Sequence, residues 1–399
     1  MTSPPGPGLP AIAIEEARRV CARTKTELQA LLSDLETWVN LDTPGGEAEA
    51  LDGLARGLAA TLCSYGLTVE LVPDDAGLYV HAALEGAGNA RVALLCHHDT
   101  VFPAGTVARW PFRVEGGRCL GPGVADMKGG LAVAIHTARL LALGPRPFGR
   151  VELVSVPDEE AREGPPHTIE RLAGFDAVLC LECGRPRGEV VSSRKGAVWF
   201  RLYAEGRPAH AGEVPDAGRN AAHALAREAL RLAALHNTRE GLTLQVTALE
   251  AGEGLNTVPS TGSLTADLRA WTDRDLEWAL ERVRELQPHD GVELRFESLG
   301  GPPPFERTPA VAALAAAAIA LGAELECRFG EARAGGVSDG SWTAHRGIPT
   351  LDGLGPVGGD DHTPGEYVDL DSFAPRCGVV AGLVAAVDAG IVADSLRSG

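Results

Sequence analysis

Residues 151–160 read VELVSVPDEE. Val151–Val156 is a short run rich in valine, and it stops at Pro157 in front of three acids, Asp158, Glu159 and Glu160. A run of this length, β-branched and cut off by proline, reads as a strand. The same design recurs on both sides. Ala177–Leu181 is apolar and ends in Glu182, while Arg91–Cys96 leads into His97-His98-Asp99. Helical patterns lie at Ile14–Val39, Ala48–Tyr65 and Met127–Leu143, with further strand-like runs at Val69–Val72 and Leu78–Leu84. Short apolar strands alternating with helices predict an α/β fold with a mostly parallel sheet flanked by helices.

The pattern changes near Lys195. Val198–Ala204 alternates as a strand, a helix is expected over Asn220–Leu235, and two strands follow at Leu242–Leu249 and Ser263–Trp271. A second helix at Asp273–Leu286 and a strand at Val292–Ser298 complete the order β-α-β-β-α-β, a small ferredoxin-like α+β sandwich. Gly300-Gly301-Pro302-Pro303-Pro304 makes a stiff exit. An Ala-rich helix at Pro309–Leu321 then resumes the α/β pattern. The expected organisation is a discontinuous catalytic domain, 1–194 and 304–399, with an inserted domain at 195–303.

Bulk properties narrow the partners. The chain has 399 residues, 45% hydrophobic and 23% charged, with a net charge of −18. That charge disfavours nucleic acid and anionic membrane surfaces. No uninterrupted apolar window of about 18 residues is present, so no membrane span is expected. Met1–Pro10 is rich in Pro and Gly and lacks a basic region followed by an apolar run, which predicts a floppy start and a cytoplasmic protein. Of the eight cysteines, Cys180 and Cys183 have the spacing of a redox or zinc pair. They read as small buried hydrophobes, because residues three apart in a strand face opposite ways and no second pair follows.

Metal-type residues gather at the predicted strand ends, where open α/β sheets form their ligand crevice. His97 and Asp99, two apart in extended chain, share a face, so the acid can hold the imidazole while His98 points away. Taken alone, His97-x-Asp99 reads as a surface loop, Asp126 before its helix as an N-cap, and Asp158–Glu160 as a solvated acidic loop. Glu182 closes an apolar run and needs a strong partner. His362 sits in the Gly-rich loop GPVGGDDHTPGE, 355–366. Together two histidines and three carboxylates suit a pair of borderline cations such as Zn²⁺ or Mn²⁺.

The ordered set HHDTV (97–101), GPGVADMKGG (121–130), PDEE (157–160), LECG (181–184), HAG (210–212), NTVP (256–259), DLR (267–269), GGVSDG (335–340) and GPVGGDDHTPGEYV (355–368) resembles a known family. It is that of the zinc-dependent exopeptidases and amidohydrolases: glutamate carboxypeptidase, aminoacylase, acetylornithine deacetylase and succinyl-diaminopimelate desuccinylase. The likeness spans the chain after about residue 35 and is nearest to glutamate carboxypeptidase. It implies two Zn²⁺ per subunit, replaceable by Co²⁺ or Mn²⁺. His97, Asp126 and Glu182 would hold one ion, and Asp126, Glu160 and His362 the other. It also implies Glu159 as general base, Asp99 orienting His97, a cis peptide after Asp126, and His210 at the oxyanion, in a partner subunit's site. Asn256 and Arg269 would bind a substrate carboxylate. A homodimer through the inserted domain is a further implication.

The implied reaction is hydrolysis of an amide next to a free carboxylate, releasing a C-terminal amino acid such as glutamate from a small peptide. The alternatives are an N-acyl-amino-acid deacylase and, in another class, an inactive binding protein on the same scaffold. Glutamate-releasing relatives should carry a base near Glu189–Val190; the nearby candidates are Arg185, Arg187, Arg194 and Lys195, with Arg333 further on. Asp360-Asp361 beside His362 adds charge, and Ser341-Trp342 could narrow a pocket.

Overall fold

The computed structural model describes residues 8–162, 164–287 and 289–393. The expectation of a floppy start at Met1–Pro10 lies, for residues 1–7, outside the described residues. The chain forms two compact units. One holds the chain up to Ser192, Arg307–Arg333 and the chain from Ser338; the other holds Ser193–Glu306 with Ala334–Val337.

The first unit is built on a six-stranded sheet. Its strands lie in the order Thr68–Asp74, Gly77–Glu85, Arg150–Val156, Arg91–His97, Ala177–Cys180, Thr350–Leu351. The first two pairings are antiparallel and the remaining three parallel. Side-chain alternation shows why these segments are strands. Val92, Leu94, Val151, Leu153, Ala177 and Leu179 enter one core, while Ala93, Leu95, Val154, Val156, Val178 and Cys180 enter another on the opposite face. With both faces covered, an apolar run without polar alternation is what a parallel strand requires. The larger core is completed by the helices Ala11–Val39, Ala48–Ser64, Gly129–Ala142, Pro309–Glu324 and Phe373–Asp388. Among the described residues, one segment, Leu370–Asp388, is long and apolar enough to cross a membrane by length and composition. It is 83% buried inside the protein, as a central core helix is.

Two features depart from the sequence reading. The helix expected at Met127–Leu143 begins at Gly129, after a wide turn over Val124–Lys128 in which Asp126 has φ −118° and ψ 93°. Asp126 is therefore not an N-cap. The cap position is Lys128, which makes no side-chain cap bond, and its Nζ donates to the Leu41 carbonyl at 2.8 Å. Short strands also went unseen. Gly358–Gly359, Tyr367–Asp369, Arg118–Leu120 and Arg113–Glu115 form a small sheet that joins the His362 loop to the chain leading into Asp126.

The second unit has a four-stranded antiparallel sheet, in the order Thr243–Ala251, Thr261–Ala270, Gly196–Glu205, Glu293–Gly300. Helices Ala221–Ala233 and Asp273–Arg284 pack on it through Leu225, Leu232, Leu276 and Val283. Asn220 and Thr272 cap these helices by accepting from the N–H three residues on. The order and connectivity are those of a ferredoxin-like sandwich.

Candidate functional site

Three parallel neighbours deliver the first groups. His97 ends its strand, Asp158–Glu160 follow Val156, and Glu182 follows Cys180 by two residues, so all emerge at one edge of the sheet. Asp126 reaches the same place because its helix presses on that edge. A Cβ on Gly130 would lie 1.8 Å from the Leu181 carbonyl oxygen, so only glycine admits this contact. The 355–366 loop is pinned beside it, with Gly355 N–H donating to the Glu182 carbonyl at 2.8 Å. Within it Asp360 and His362 take left-handed φ values of 58° and 62°, a cost that non-glycine residues carry mainly at functional sites. The Asp126–Met127 peptide is cis.

The resulting geometry is specific. Asp126 Oδ1 lies 3.0 Å from His97 Nε2, and Asp126 Oδ2 lies 3.1 Å from His362 Nε2. Glu182 Oε1 is 3.8 Å from the same His97 nitrogen, and Glu160 Oε1 is 3.4 Å from the same His362 nitrogen. One carboxylate thus faces two imidazoles with separate oxygens, and each imidazole has its own second carboxylate. Glu160 Oε1 is buried without an aligned hydrogen bond. His97 Nδ1 faces Asp99, 3.1 Å from its carbonyl and 3.2 Å from Oδ1. The Asp99 carboxylate also accepts from the N–H groups of Glu159 (3.1 Å) and Glu160 (2.9 Å), which fixes the acidic turn. His98 faces the other way, its Nδ1 2.9 Å from Ser155 Oγ.

The electrostatics fit a cation cage. Burial pushes Glu159 well above the usual carboxylate range and raises Glu160 as well. Asp126 is held low despite burial, through its bonds to His362 and His97. His362 is pushed up to about 11 by Asp126 and Glu160. Burial works against charge on His97, yet Asp126 and Asp99 raise it well above its ordinary value. Crowding this many acids beside two histidines is costly unless cations or protons compensate. His97, Asp126 and Glu160 each bring one ligand atom within 4.8 Å of the others. Two ligands on one tetrahedral zinc, each about 2.0–2.2 Å from it, stand about 3.3–3.5 Å apart, near the 3.0 and 3.8 Å around His97 and the 3.1 and 3.4 Å around His362.

Glu366 was not singled out by sequence. Its buried carboxylate accepts from Gly123, Ala125 and Asp126 N–H. Burial pushes it up to about 8, while these three bonds pull the other way. Its only sequence signal is a place in the ordered motif at 355–368. Arg162 is a second such residue, bonding the Asp158 carboxylate at 2.5 Å and also Asp339; Tyr79 donates to Asp158 at 3.0 Å.

The second unit gathers His210 and Asn256. Thr257 bridges to His210, and Ala211 N–H donates to the Asn256 carbonyl at 2.8 Å. His210 Nδ1 accepts from the N–H groups of Gly212 and Glu213, each at 3.2 Å, which assigns the ring proton to the exposed Nε2. Arg269 is engaged elsewhere. Its Nε and Nη2 each reach the Asp267 carboxylate at 3.0 Å, and Nη1 donates to the Gly335 carbonyl.

The five basic candidates also separate. Arg187 binds Glu189 at 2.7 Å, Arg194 donates to Gly336 and Val337, Lys195 stands over Trp271, and Arg333 is an exposed residue of the strand Gly330–Ala334. Arg185 keeps a buried Nε that finds no partner among the described residues. The position expected to be basic holds Glu189, an acid.

A cluster of mostly buried acids around one buried and one exposed imidazole, beside the strand ends of an α/β sheet, is the arrangement of a metallohydrolase. Residues 93–386 match the family described as Peptidase family M20/M25/M40, and the chain belongs to it. It is 31% identical over 377 residues to carboxypeptidase G2 of Pseudomonas sp. (strain RS-16), covering 91% of each protein. It is also 33% identical over 311 residues to the succinyl-diaminopimelate desuccinylase of Alkalilimnicola ehrlichii, covering 69% of this chain and 80% of that protein. Among solved structures, a Bacillus subtilis protein, YXEP, described as a dinuclear metal-binding peptidase, superposes with a TM-score of 0.74 at 16% identity. The superposition covers 92% of this chain and 99% of that one.

Proposed function

We propose that this hydrolase holds two Zn²⁺ ions and cleaves an amide next to a free carboxylate, releasing an amino acid. The observation that carries the reading is Asp126, whose two oxygens face His97 and His362 separately. His97, Asp126 and Glu182 would hold one ion; Asp126, Glu160 and His362 the other. When bound, such ions supply Lewis acidity, polarising a carbonyl and making water acidic enough to ionise near neutral pH. Glu159, half-buried beside Glu160, takes a proton from the attacking water and returns it to the leaving amine. Asp99 keeps His97 in the tautomer that points Nε2 inward. His210 offers its Nε2 proton to the developing oxyanion.

Asn256 and Arg269 are proposed to grip the substrate carboxylate, which requires Arg269 to share its fork with Asp267. Arg185, rather than a residue at 189–190, is the basic group proposed for a second acidic substituent. Carboxypeptidase G2, by its name, supports release of a C-terminal residue. The desuccinylase supports the second reading, removal of an acyl group from an amino acid. We propose a homodimer joined through the inserted domain, acting on small peptides or N-acyl amino acids.

Metal analysis with a panel of N-acyl and N-aminoacyl amino acids tests the reading. Chelation by EDTA should abolish hydrolysis, and Zn²⁺, Co²⁺ or Mn²⁺ should restore it. Hydrolysis that survives complete metal removal overturns the two-metal reading. A metal-loaded chain that cleaves nothing on the panel points to the binding-protein alternative.

A further inference from the structure

Asp126 is the residue on which both halves of the cage depend, and its turn is closed by Lys128 N–H donating to the Gly123 carbonyl at 2.8 Å, a bond that leaves the Asp126 N–H itself to a partner from elsewhere. It sits in the non-helical stretch between Gly123 and Gly129, with dihedrals that belong to neither helix nor turn. Its carboxylate is committed to the imidazoles, so the backbone must be held by something else. Gly123 begins the stretch with φ +72°, and a Cβ there would lie 2.5 Å from Thr100 Cγ2.

We infer that Glu366 is a positioning residue that ties the Asp126 turn to the His362 loop, so that the two loops present their ligands as one unit. Glu366 Oε1 accepts from Ala125 N–H at 2.7 Å and Asp126 N–H at 3.0 Å, and Oε2 accepts from Gly123 N–H at 3.1 Å. All three bonds come from a segment some 240 positions away in sequence. Glu366 is held in turn by its own N–H, which donates to the Thr363 carbonyl at 3.1 Å, one residue beyond His362. The side chain is fully buried. Its oxygens point at backbone rather than into the cage, so its influence on the ligands is indirect. The chemistry is demanding. All three donors are N–H groups, and only an acceptor on each oxygen satisfies them. An amide in place of the carboxylate sets a donor against a donor at one oxygen or the other. Partners of this kind, one step removed from a metal, typically change metal affinity by about 10–100-fold.

The inference rests on the two-metal reading, and the test keeps their failures apart. Cobalt is titrated into metal-free wild type, Glu366→Gln and Glu366→Asp, following the visible spectrum and competition with a chelator. Wild type should bind two equivalents. Glu366→Gln should bind at least about 10-fold more weakly, with a changed cobalt spectrum. Glu366→Asp, which keeps both acceptors on a shorter arm, should fall between. Leu314→Ala, a core cavity in the helix Pro309–Glu324, should lower the melting temperature but leave the cobalt spectrum as in wild type; a matching spectral change there would make the Glu366 effect one of general stability and overturn the inference. Wild-type affinity and spectrum in Glu366→Gln would also overturn it. A wild type that binds no cobalt fails the two-metal reading instead. Should the variants not fold, hydrogen exchange on metal-free wild type decides: slow exchange at Gly123, Ala125 and Asp126 supports the tether, and fast exchange refutes it.

Discussion

The two units hold their candidate residues in opposite circumstances. His97, Glu160 and Glu182 stand at or just past strand ends of the first unit's sheet, which is covered on both faces, and Asp126 stands in the turn beside them; all four are largely buried. His210 and Asn256 stand on loops of the second unit, where the His210 ring meets the N–H groups of Gly212 and Glu213 just beyond it and Leu255 next to Asn256 is wholly exposed. A buried acid raises the free energy of the fold until something compensates its charge; an exposed loop residue leaves it nearly unchanged. Substitutions in the first set should therefore move metal affinity and stability together, whereas those in the second should move turnover alone.

The largest expected effect lies at Glu159. Glu159→Gln keeps the shape and leaves the ligands in place, so metal content should match wild type while kcat falls at least about 100-fold. Equal loss of metal and activity would show that Glu159 belongs with the ligands and blur the distinction drawn above. His210→Asn comes next. Losing one oxyanion donor costs on the order of 100-fold in kcat, with metal content and melting temperature unchanged. If His210 serves a partner's site, mixing inactive Glu159→Gln and His210→Asn proteins should restore part of the activity. No recovery after subunit exchange would place its action within its own chain.

The contrast also explains what the sequence disclosed. Candidate residues at strand ends were legible because an apolar run stopped by a polar group is a local signal: Val156 before Pro157 and the acids 158–160, Leu181 before Glu182, Cys96 before His97. Asp126 was legible as a residue but not as a geometry, since the wide turn at 124–128 depends on Glu366 from the far end of the chain. Glu366 itself carries no periodic mark. The short strands at 113–120 and 358–369 are two or three residues long, too brief for any alternation to show. The bonding of Arg269 to Asp267 was nearer to hand, because residues two apart on a strand share a face.

Arg185 stands between the two cases, a first-unit residue with a buried but unsatisfied Nε. If it meets an acidic substituent, Arg185→Gln should raise KM about 10-fold for substrates with that second acid and leave KM for neutral ones within about twofold. An equal rise for both would remove it from recognition and leave the substrate side to the second unit.

The smallest effect is the sharpest test of the idea that the cage is a cost to the fold. Two glutamates of the first unit, Glu152 buried and Glu160 largely so, differ in their partners. Glu152 is bonded by His81, Arg150 and Arg171, and these hold it at about 2, against the usual 4.5. A depressed carboxyl stabilises the fold above its unfolded value, and that contribution, about 3 kcal/mol at most, is lost as pH falls from 4.5 towards 2. Glu160 meets His362 alone, at 3.4 Å, and burial raises it in spite of that partner. Hence Glu152→Gln should weaken the metal-free protein and flatten its acid sensitivity in urea melts. Glu160→Gln should instead strengthen the metal-free protein by about 1 kcal/mol, since burial disfavours its charge more than the 3.4 Å approach of His362 favours it. With metal added the order should reverse, because only wild type gains the binding free energy. A Glu160→Gln protein weaker than wild type without metal would mean that the fold already compensates its acids, and the division between the two regions would fail at its base.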